Sequence, residues 1–346
     1  MIINTKKIIL LFILAVILLI GIFASIYTYK LYFKPIVSIK NSNTLFVRTG
    51  ENFDELIDSL SAKQFIPNKN LFIFFAKKKG LPKHIKAGRY LLHQGMTANA
   101  LINMLRSGNQ QAVKITFNNI RFLPKLAGIV GNSLEADSAK FMALVTDKAF
   151  LKTISKTPET AISIFIPNTY QLWWNTSAKG FIQRMNKEYH KFWTKKRIEQ
   201  AKKLGLSPEQ VSILASIVQE ETNNRNEMPT IAGVYLNRLK KGMLLQADPT
   251  ARFAYGDFSI KRVNYNYLKI DSPYNTYKYA GLPPGPICMP NPQTIDQVLH
   301  AKKTDYYYFC AKPDRSGTHI FAKNLRQHNR NARKYHRYLN KLRIRH

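Results

Sequence analysis

Acidic residues and cysteines are scarce in this chain. Its 346 residues hold 20 Asp and Glu against 53 Lys and Arg, with two cysteines and eight histidines. Two cysteines make no disulfide framework, and the histidines lie singly, with no HExxH pair or His–Cys cluster of the kind that holds zinc. No cofactor or metal is expected. Also missing are a Walker loop, a GxGxxG turn after a strand and a GxSxG elbow, so nucleotide binding and serine-type acyl transfer have little support. Internal repeats and low-complexity tracts are lacking too. The formal charge of +33 raises nucleic acid as a partner. The basic residues, however, are scattered along the whole chain and do not gather on one helix or arm.

Of long apolar runs there is one, Ile8 to Ile26, in which only Gly21 and Ser25 are not strongly apolar. Its length suits a bilayer crossing. A cleaved signal peptide is the competing reading, but the run is long and no A-x-A site follows it. An uncleaved single span is therefore expected. Lys6 and Lys7 before the run are matched by Lys30, Lys34 and Lys40 after it, so flanking charge does not orient it. With the body outside the cytoplasm, nucleic acid is mostly out of reach and the positive charge faces anionic headgroups or anionic wall polymer. Cys288 lies in a Pro-rich loop and Cys310 ends an aromatic strand, and nothing brings their Cα atoms together, so they are expected to be unpaired.

The remaining pattern predicts an α+β chain: a tail at 1–7, a membrane helix at 8–28, a linker at 29–42, a small module at 43–110 and a larger domain at 111–346. The module reads as strand (Leu45–Val47), helix (Phe53, Leu56, Ile57, Leu60), helix (Asn68 to Lys79) and strand (Arg89–Leu92), the compact βααβ plan of a LysM-like unit. Residues 118–200 read as mostly helical. Within them, Pro167, Asn168 and Thr169 predict a turn before Tyr170, Trp173 and Trp174, aromatics of a kind that stack on sugars or fill cores. The stretch from Met243 to Gly256 reads as polar and turn-rich. Ser272 to Pro292 carries six prolines in 21 residues, too many for a helix or central strand, and ordered irregular segments of that length are usually functional. Two strands, Tyr306–Cys310 and Thr318–Phe321, and a basic helix from Asn324 to about Arg343 close the chain.

Chemistry is expected at Ser207–Thr222, SPEQVSILASIVQEET. Ser207 suits an N-cap, Pro208 the first helical position, and Gln210 completes a capping box. At 100° per residue, Val211, Leu214, Ile217 and Val218 share a stripe about 120° wide, and Glu221 falls inside it. Gln219 and Glu220 project elsewhere. A lone carboxyl on an apolar face is desolvated, so its pKa rises toward neutrality, as a general acid needs. The bland alternatives are a solvated helix end or a pair with Arg225. A raised-pKa Glu backed by aromatic and amide-rich loops suits carbohydrate, since it can protonate a glycosidic oxygen.

The runs LASIVQEET, GVYLNRLKKGMLLQADPT, YNTYKYAGLPPGPICMPNP and THIFAKNLRQHN resemble, in content and order, the endolytic murein transglycosylase (YceG-like) family. The resemblance implies a lytic transglycosylase anchored in the inner (cytoplasmic) membrane by a single pass. Its catalytic domain would be periplasmic and would cut the β-1,4 bond between N-acetylmuramic acid and N-acetylglucosamine to leave a 1,6-anhydro end. It places the catalytic glutamate, the last acidic residue of S-I-V-[EQ]-x-E, at Glu221. It also implies peptidoglycan glycan strands as substrate, the membrane as support, a glycan-polymerising synthase as partner and no nucleic acid. As substrate contacts we expect Gln246, Asp248 and Thr250 from QADPT, Asn275 with its neighbours Tyr274 and Tyr277, and, with less support, Asn237 and His319. Asn275 is the candidate for holding an N-acetyl group, with an internal Asx turn as the alternative. Glu227 is expected in the first turn of the next helix. Two alternatives stay open: a muramidase on the same scaffold, and a membrane-tethered wall-binding protein without catalysis.

Overall fold

The computed structural model describes residues 5–258 and 265–341, and its class is mixed α+β. It forms two compact units. The first comprises residues up to Lys114 with 133–135 and 171–176, and the second comprises 115–132, 136–170 and 177 onward.

In the first unit, α1 (Thr5–Tyr32) contains the apolar run and is long and apolar enough to cross a membrane or serve as a signal sequence. It continues to Tyr32, and the segment expected as a linker joins the unit's core through Leu31, Ile36 and Val37. Leu31 is 3% exposed, and the Ile36 and Val37 N–H groups donate to Met96 O at 3.0 and 3.1 Å. Burying Leu31, Ile36 and Val37 is worth more than chain freedom there. The strand-helix-helix-strand order is present: β1 (Thr44–Val47), α2 (Phe53–Ala62), α3 (Lys69–Lys78) and β2 (Gly88–Leu91). The strands pair antiparallel from Thr44 opposite Leu91 to Val47 opposite Gly88. A capping box starts α2, with Asn52 Oδ1 accepting from Glu55 N at 3.0 Å and Glu55 Oε2 from Asn52 N at 2.9 Å. α4 (Ala98–Ser107) closes the unit's core at Gly108, which is left-handed at φ 73°.

The chain then passes through β3 (Val113–Phe117), α5 (Leu123–Ser133), α6 (Ser138–Thr146), α7 (Lys148–Lys152) and β4 (Asn168–Leu172). Pro167 lies in a bend, but β4 already begins at Asn168, within the turn expected at 167–169, and pairs with β3 in a two-stranded sheet. Tyr170 and Leu172, buried two residues apart on its inner face, explain the extended backbone. Next come α8 (Ala178–Phe192), α9 (Lys195–Lys203), α10 (Pro208–Glu221), α11 (Met228–Lys240), α12 (Asp248–Tyr255), α13 (Tyr265–Leu268) and α14 (Pro292–Leu299). β5 (Tyr308–Ala311) and β6 (His319–Ala322) make an antiparallel hairpin, and α15 (Leu325–Lys341) packs on it. The end expected for that basic helix, near Arg343, and the first four residues of the tail lie outside the described residues.

Two differences from the sequence reading concern the second unit. The polar stretch before Gly256 folds as α12, because Asp248 and Pro249 are both favoured in a first helical turn. And α10 carries more than an apolar stripe: every residue from Val211 to Val218 is buried. The polar ones satisfy themselves on nearby main chain. Ser212 Oγ donates to Pro208 O at 3.0 Å, and Ser216 Oγ donates to Ile213 O at 2.7 Å while accepting from Ile287 N at 3.0 Å. α10 packs chiefly against α14 and α11, so it is the central helix of its unit.

Gly233 sets the closeness of packing around α11. A Cβ there would lie 2.3 Å from Lys302 O, in a segment fixed by Lys302 N donating to Pro229 O at 2.9 Å. Gly233→Ala is therefore expected to destabilise the second unit by about 2 kcal/mol. Urea unfolding at constant pH measures it, and an unchanged midpoint would show that the loop yields without cost.

Candidate active site

Three consecutive residues at the end of α10 go three ways. Gln219 ties the helix to its neighbours. Its Oε1 accepts from Asn291 N at 2.7 Å and from Thr294 Oγ1 at 3.3 Å, capping α14, and its Nε2 donates to Met289 O at 3.3 Å and Asn119 Oδ1 at 3.2 Å. Glu220 pairs with Arg121, whose guanidinium also lies 4.0 Å from the Phe258 ring centre. Glu221, the last residue, turns into a groove of about 470 Å³.

Glu221 Oε1 accepts a 2.6 Å hydrogen bond from the hydroxyl of Tyr235, one element away on α11. Arg225 is not its partner. Burial pushes the Glu221 carboxyl up to about 7; the nearby Asp248 charge adds to this, while the Tyr235 hydrogen bond and the charges of Arg252 and Arg238 oppose it. Its place at a helix C-terminus, the negative end of the dipole, acts in the same direction as burial. Burial and the Glu221 charge together raise the Tyr235 phenol well above its ordinary value, so it stays a donor at any working pH.

Arg238, on the same helix as Tyr235 and 8% exposed, is spent on carbonyls. It donates to Tyr307 O at 2.6 Å, to Leu244 O and Leu245 O at 3.1 and 2.9 Å, and to Gln246 Oε1 at 3.2 Å. These bonds hold the segment before α12 and the start of β5 around the groove. Opposite, the Tyr277 hydroxyl donates to Asp248. His319 enters from β6, where both its backbone N–H and its Nδ1 meet the Glu227 carboxylate, at 2.9 and 3.1 Å. Glu227, expected in the first turn of this helix, stands at the N-cap position of α11 and anchors β6.

Of the expected substrate contacts, Gln246, Asp248, Tyr277 and His319 line the groove with Glu221. The others do not. Asn275 is fully buried; its Nδ2 donates to Leu268 O and Ile270 O at 3.0 and 2.8 Å, and its Oδ1 accepts from Tyr277 N at 3.1 Å. That is the Asx-turn alternative, and no polar atom is left over for an acetamido group. Thr250 is buried with its hydroxyl on Ala247 O and Thr276, Tyr274 packs on Phe253 at 4.8 Å between ring centres, and Asn237 Nδ2 holds Thr304 O and Tyr306 O at 2.7 and 2.9 Å. Trp173 and Trp174 belong to the first unit, where Trp173 is 53% exposed and Trp174 lies 4.8 Å from Phe46. Cys288 and Cys310 are both free.

Sequence reasoning missed Tyr235. The available signal was a tyrosine on the apolar face of α11, since a buried phenol needs a partner for its hydroxyl. A larger cavity, about 770 Å³, lies beside β1 and α2, but its carboxylates Glu51 and Glu55 serve as local caps on the backbone N–H groups of Arg48 and Asn52.

A carboxyl whose folded pKa is about 7 against an ordinary 4.5 binds more protons folded than unfolded, so it costs stability as pH rises through that window. Glu221→Gln removes the cost. It is expected to be more stable than the parent by roughly 3 kcal/mol at pH 8, with the gap closing below pH 5. Urea titrations at the two pH values decide; an equal gap at both would mean that the carboxyl titrates normally.

The family model described as "YceG-like family" matches residues 45–334. An endolytic murein transglycosylase of Bacillus subtilis (strain 168) is 32% identical over 314 residues, covering 86% of this chain and 85% of the relative. The endolytic murein transglycosylase of Streptococcus pneumoniae (serotype 2, strain D39) is 27% identical over 325 residues, covering 84% of this chain and 57% of the longer relative. The crystal structure of a yceG-like protein from Listeria monocytogenes superposes with a TM-score of 0.55 at 29% identity, covering 83% of this chain and 97% of that one. The blocks quoted from the sequence, the matched span and the shared fold agree: the chain belongs to the YceG-like family.

Proposed function

We propose that this protein is an endolytic peptidoglycan lytic transglycosylase, with Glu221 as its single acid–base group. The observation that carries the reading is the carboxyl at the groove, held protonated near neutrality by burial and bonded by Tyr235. Glu221 donates its proton to the glycosidic oxygen between N-acetylmuramic acid and N-acetylglucosamine as the C1–O bond breaks, and positive charge develops at C1. The resulting Glu221 carboxylate, steadied by the Tyr235 hydroxyl and the charge of Arg238, then takes the proton of the C6 hydroxyl of the same muramyl residue. That oxygen bonds to C1 and closes the 1,6-anhydro ring. No water is consumed and the proton returns to Glu221. Gln246, Asp248, Tyr277 and His319 supply hydrogen bonds to the sugars.

α1 serves as an uncleaved anchor in the inner membrane, with the second unit on the periplasmic side, and the βααβ unit acts as a LysM-like glycan holder. Beside a glycan-polymerising synthase, such an enzyme terminates nascent strands. Asp248 in the same groove favours a second reading, a muramidase in which a carboxylate activates water.

Digestion of purified sacculi with product analysis tests the proposal. The parent is expected to release fragments ending in anhydro-muramyl residues, and Glu221→Gln is expected to lose about 10²- to 10⁴-fold in rate. Reducing ends would assign the muramidase, and unchanged cutting by Glu221→Gln would remove Glu221 from the chemistry.

Because the donor must start protonated, kcat/KM is expected to fall as pH rises through about 7. Tyr235→Phe deletes a bond that lowers the Glu221 pKa, so the limb moves to higher pH. Asp248→Asn deletes a charge that raises it, so the limb moves to lower pH. Shifts of the same sign in both variants would refute this account.

A further inference from the structure

The end of α1 fixes how deep the first unit sits. The 19 apolar residues from Ile8 to Ile26 rise about 28 Å as helix, close to the roughly 30 Å of a hydrocarbon core. Tyr27 is the next residue, so in the reading of α1 as a span its ring marks the boundary between acyl chains and headgroups. At that level Tyr27 meets α3: its ring centre lies 6.1 Å from Phe74 and 5.0 Å from Phe75, both edge-on. Further along, Lys79 Nζ lies 5.7 Å from the centre of the Tyr32 ring. Leu31, Ile36 and Val37 are locked into the same core, so the unit has no slack to lift away.

Phe75 is buried, but Phe74 is 44% exposed. At i+3 and i+4 from it, on the same face of α3, stand the exposed Lys77 and Lys78. Exposed Lys30 and Lys34 flank the end of α1. An exposed aromatic at the acyl boundary with lysines just beyond it puts an apolar ring at the level of the acyl chains and cations among anionic headgroups.

We propose that α3 is a second membrane contact. Phe74 reaches the acyl boundary, and Lys77 and Lys78, with Lys30 and Lys34, engage anionic phospholipid headgroups of the leaflet from which α1 emerges. The first unit is thereby seated on the bilayer surface. This rests on the reading of α1 as a span, and the test separates the two.

Full-length Phe74→Trp is reconstituted into vesicles with brominated acyl chains, made of phosphatidylethanolamine with phosphatidylglycerol or of phosphatidylcholine alone, and the fluorescence gained over the parent is followed. In the anionic vesicles the added indole is expected to be quenched at least twofold. Quenching is expected to weaken in the zwitterionic vesicles and in Phe74→Trp carrying Lys77→Glu and Lys78→Glu. An unquenched indole in a chain that resists carbonate extraction overturns the proposal and leaves the span. Equal quenching in both lipids overturns the headgroup assignment, and extraction by carbonate overturns the span itself.

Discussion

The hydrogen bond from Tyr235 to Glu221 expresses the constraint around which the second unit is built: a half-buried carboxyl must hold its proton near neutrality. A cation in direct contact would defeat this, because an ion pair fixes the charged form. In a chain with 53 Lys and Arg that is not a trivial requirement. Arg121 is occupied by Glu220 and Arg238 by four oxygens from residues 244–246 and 307, while Arg252 acts on Glu221 through its charge alone. What touches Glu221 is a neutral phenol, which donates one hydrogen bond and so partly offsets burial without cancelling it.

The same logic explains why α10 is buried on all sides from Val211 to Val218, up to the turn that carries Glu221. A surface helix would leave its last turn wet, and a wet glutamate titrates near its ordinary value. Here the hydroxyls of Ser212 and Ser216 close on nearby carbonyls, so a helix with polar residues is enclosed at little cost in unmet hydrogen bonds. Gln219 then fixes the helix end to the start of α14 through Asn291 and Thr294, and to the segments carrying Met289 and Asn119. A glutamate at that position could accept from Asn291 and Thr294 but could not donate to Met289 O or Asn119, so the amide suits this chain's loop.

How much of this was legible follows from the range of each interaction. The capping residues and periodicity of α10, the βααβ order and the position of Glu221 are local, carried within one or two helical turns, and they read directly. The partner of Glu221 did not, because Tyr235 is brought to it by packing of α11 on α10. Asn275 was misplaced for a related reason: an amide between two tyrosines looks like a ligand contact, whereas its partners, Leu268 O and Ile270 O, are backbone atoms that no pattern marks. The helix at Asp248–Tyr255 was hidden by Pro249, which reads as a breaker unless its place in the first turn is known.

A single acid also constrains what reaction the groove suits. Ordinary glycosidases divide the work between two carboxyls, one donating a proton and the other attacking or activating water. In this groove the second carboxylate, Asp248, is exposed at the start of α12 and already accepts from the Tyr277 hydroxyl. In the proposed reaction the nucleophile is the sugar's own C6 hydroxyl, and none is required of the protein. One group that gives a proton and takes one back is then enough, and a pKa near the working pH is where both halves of that task have comparable driving force.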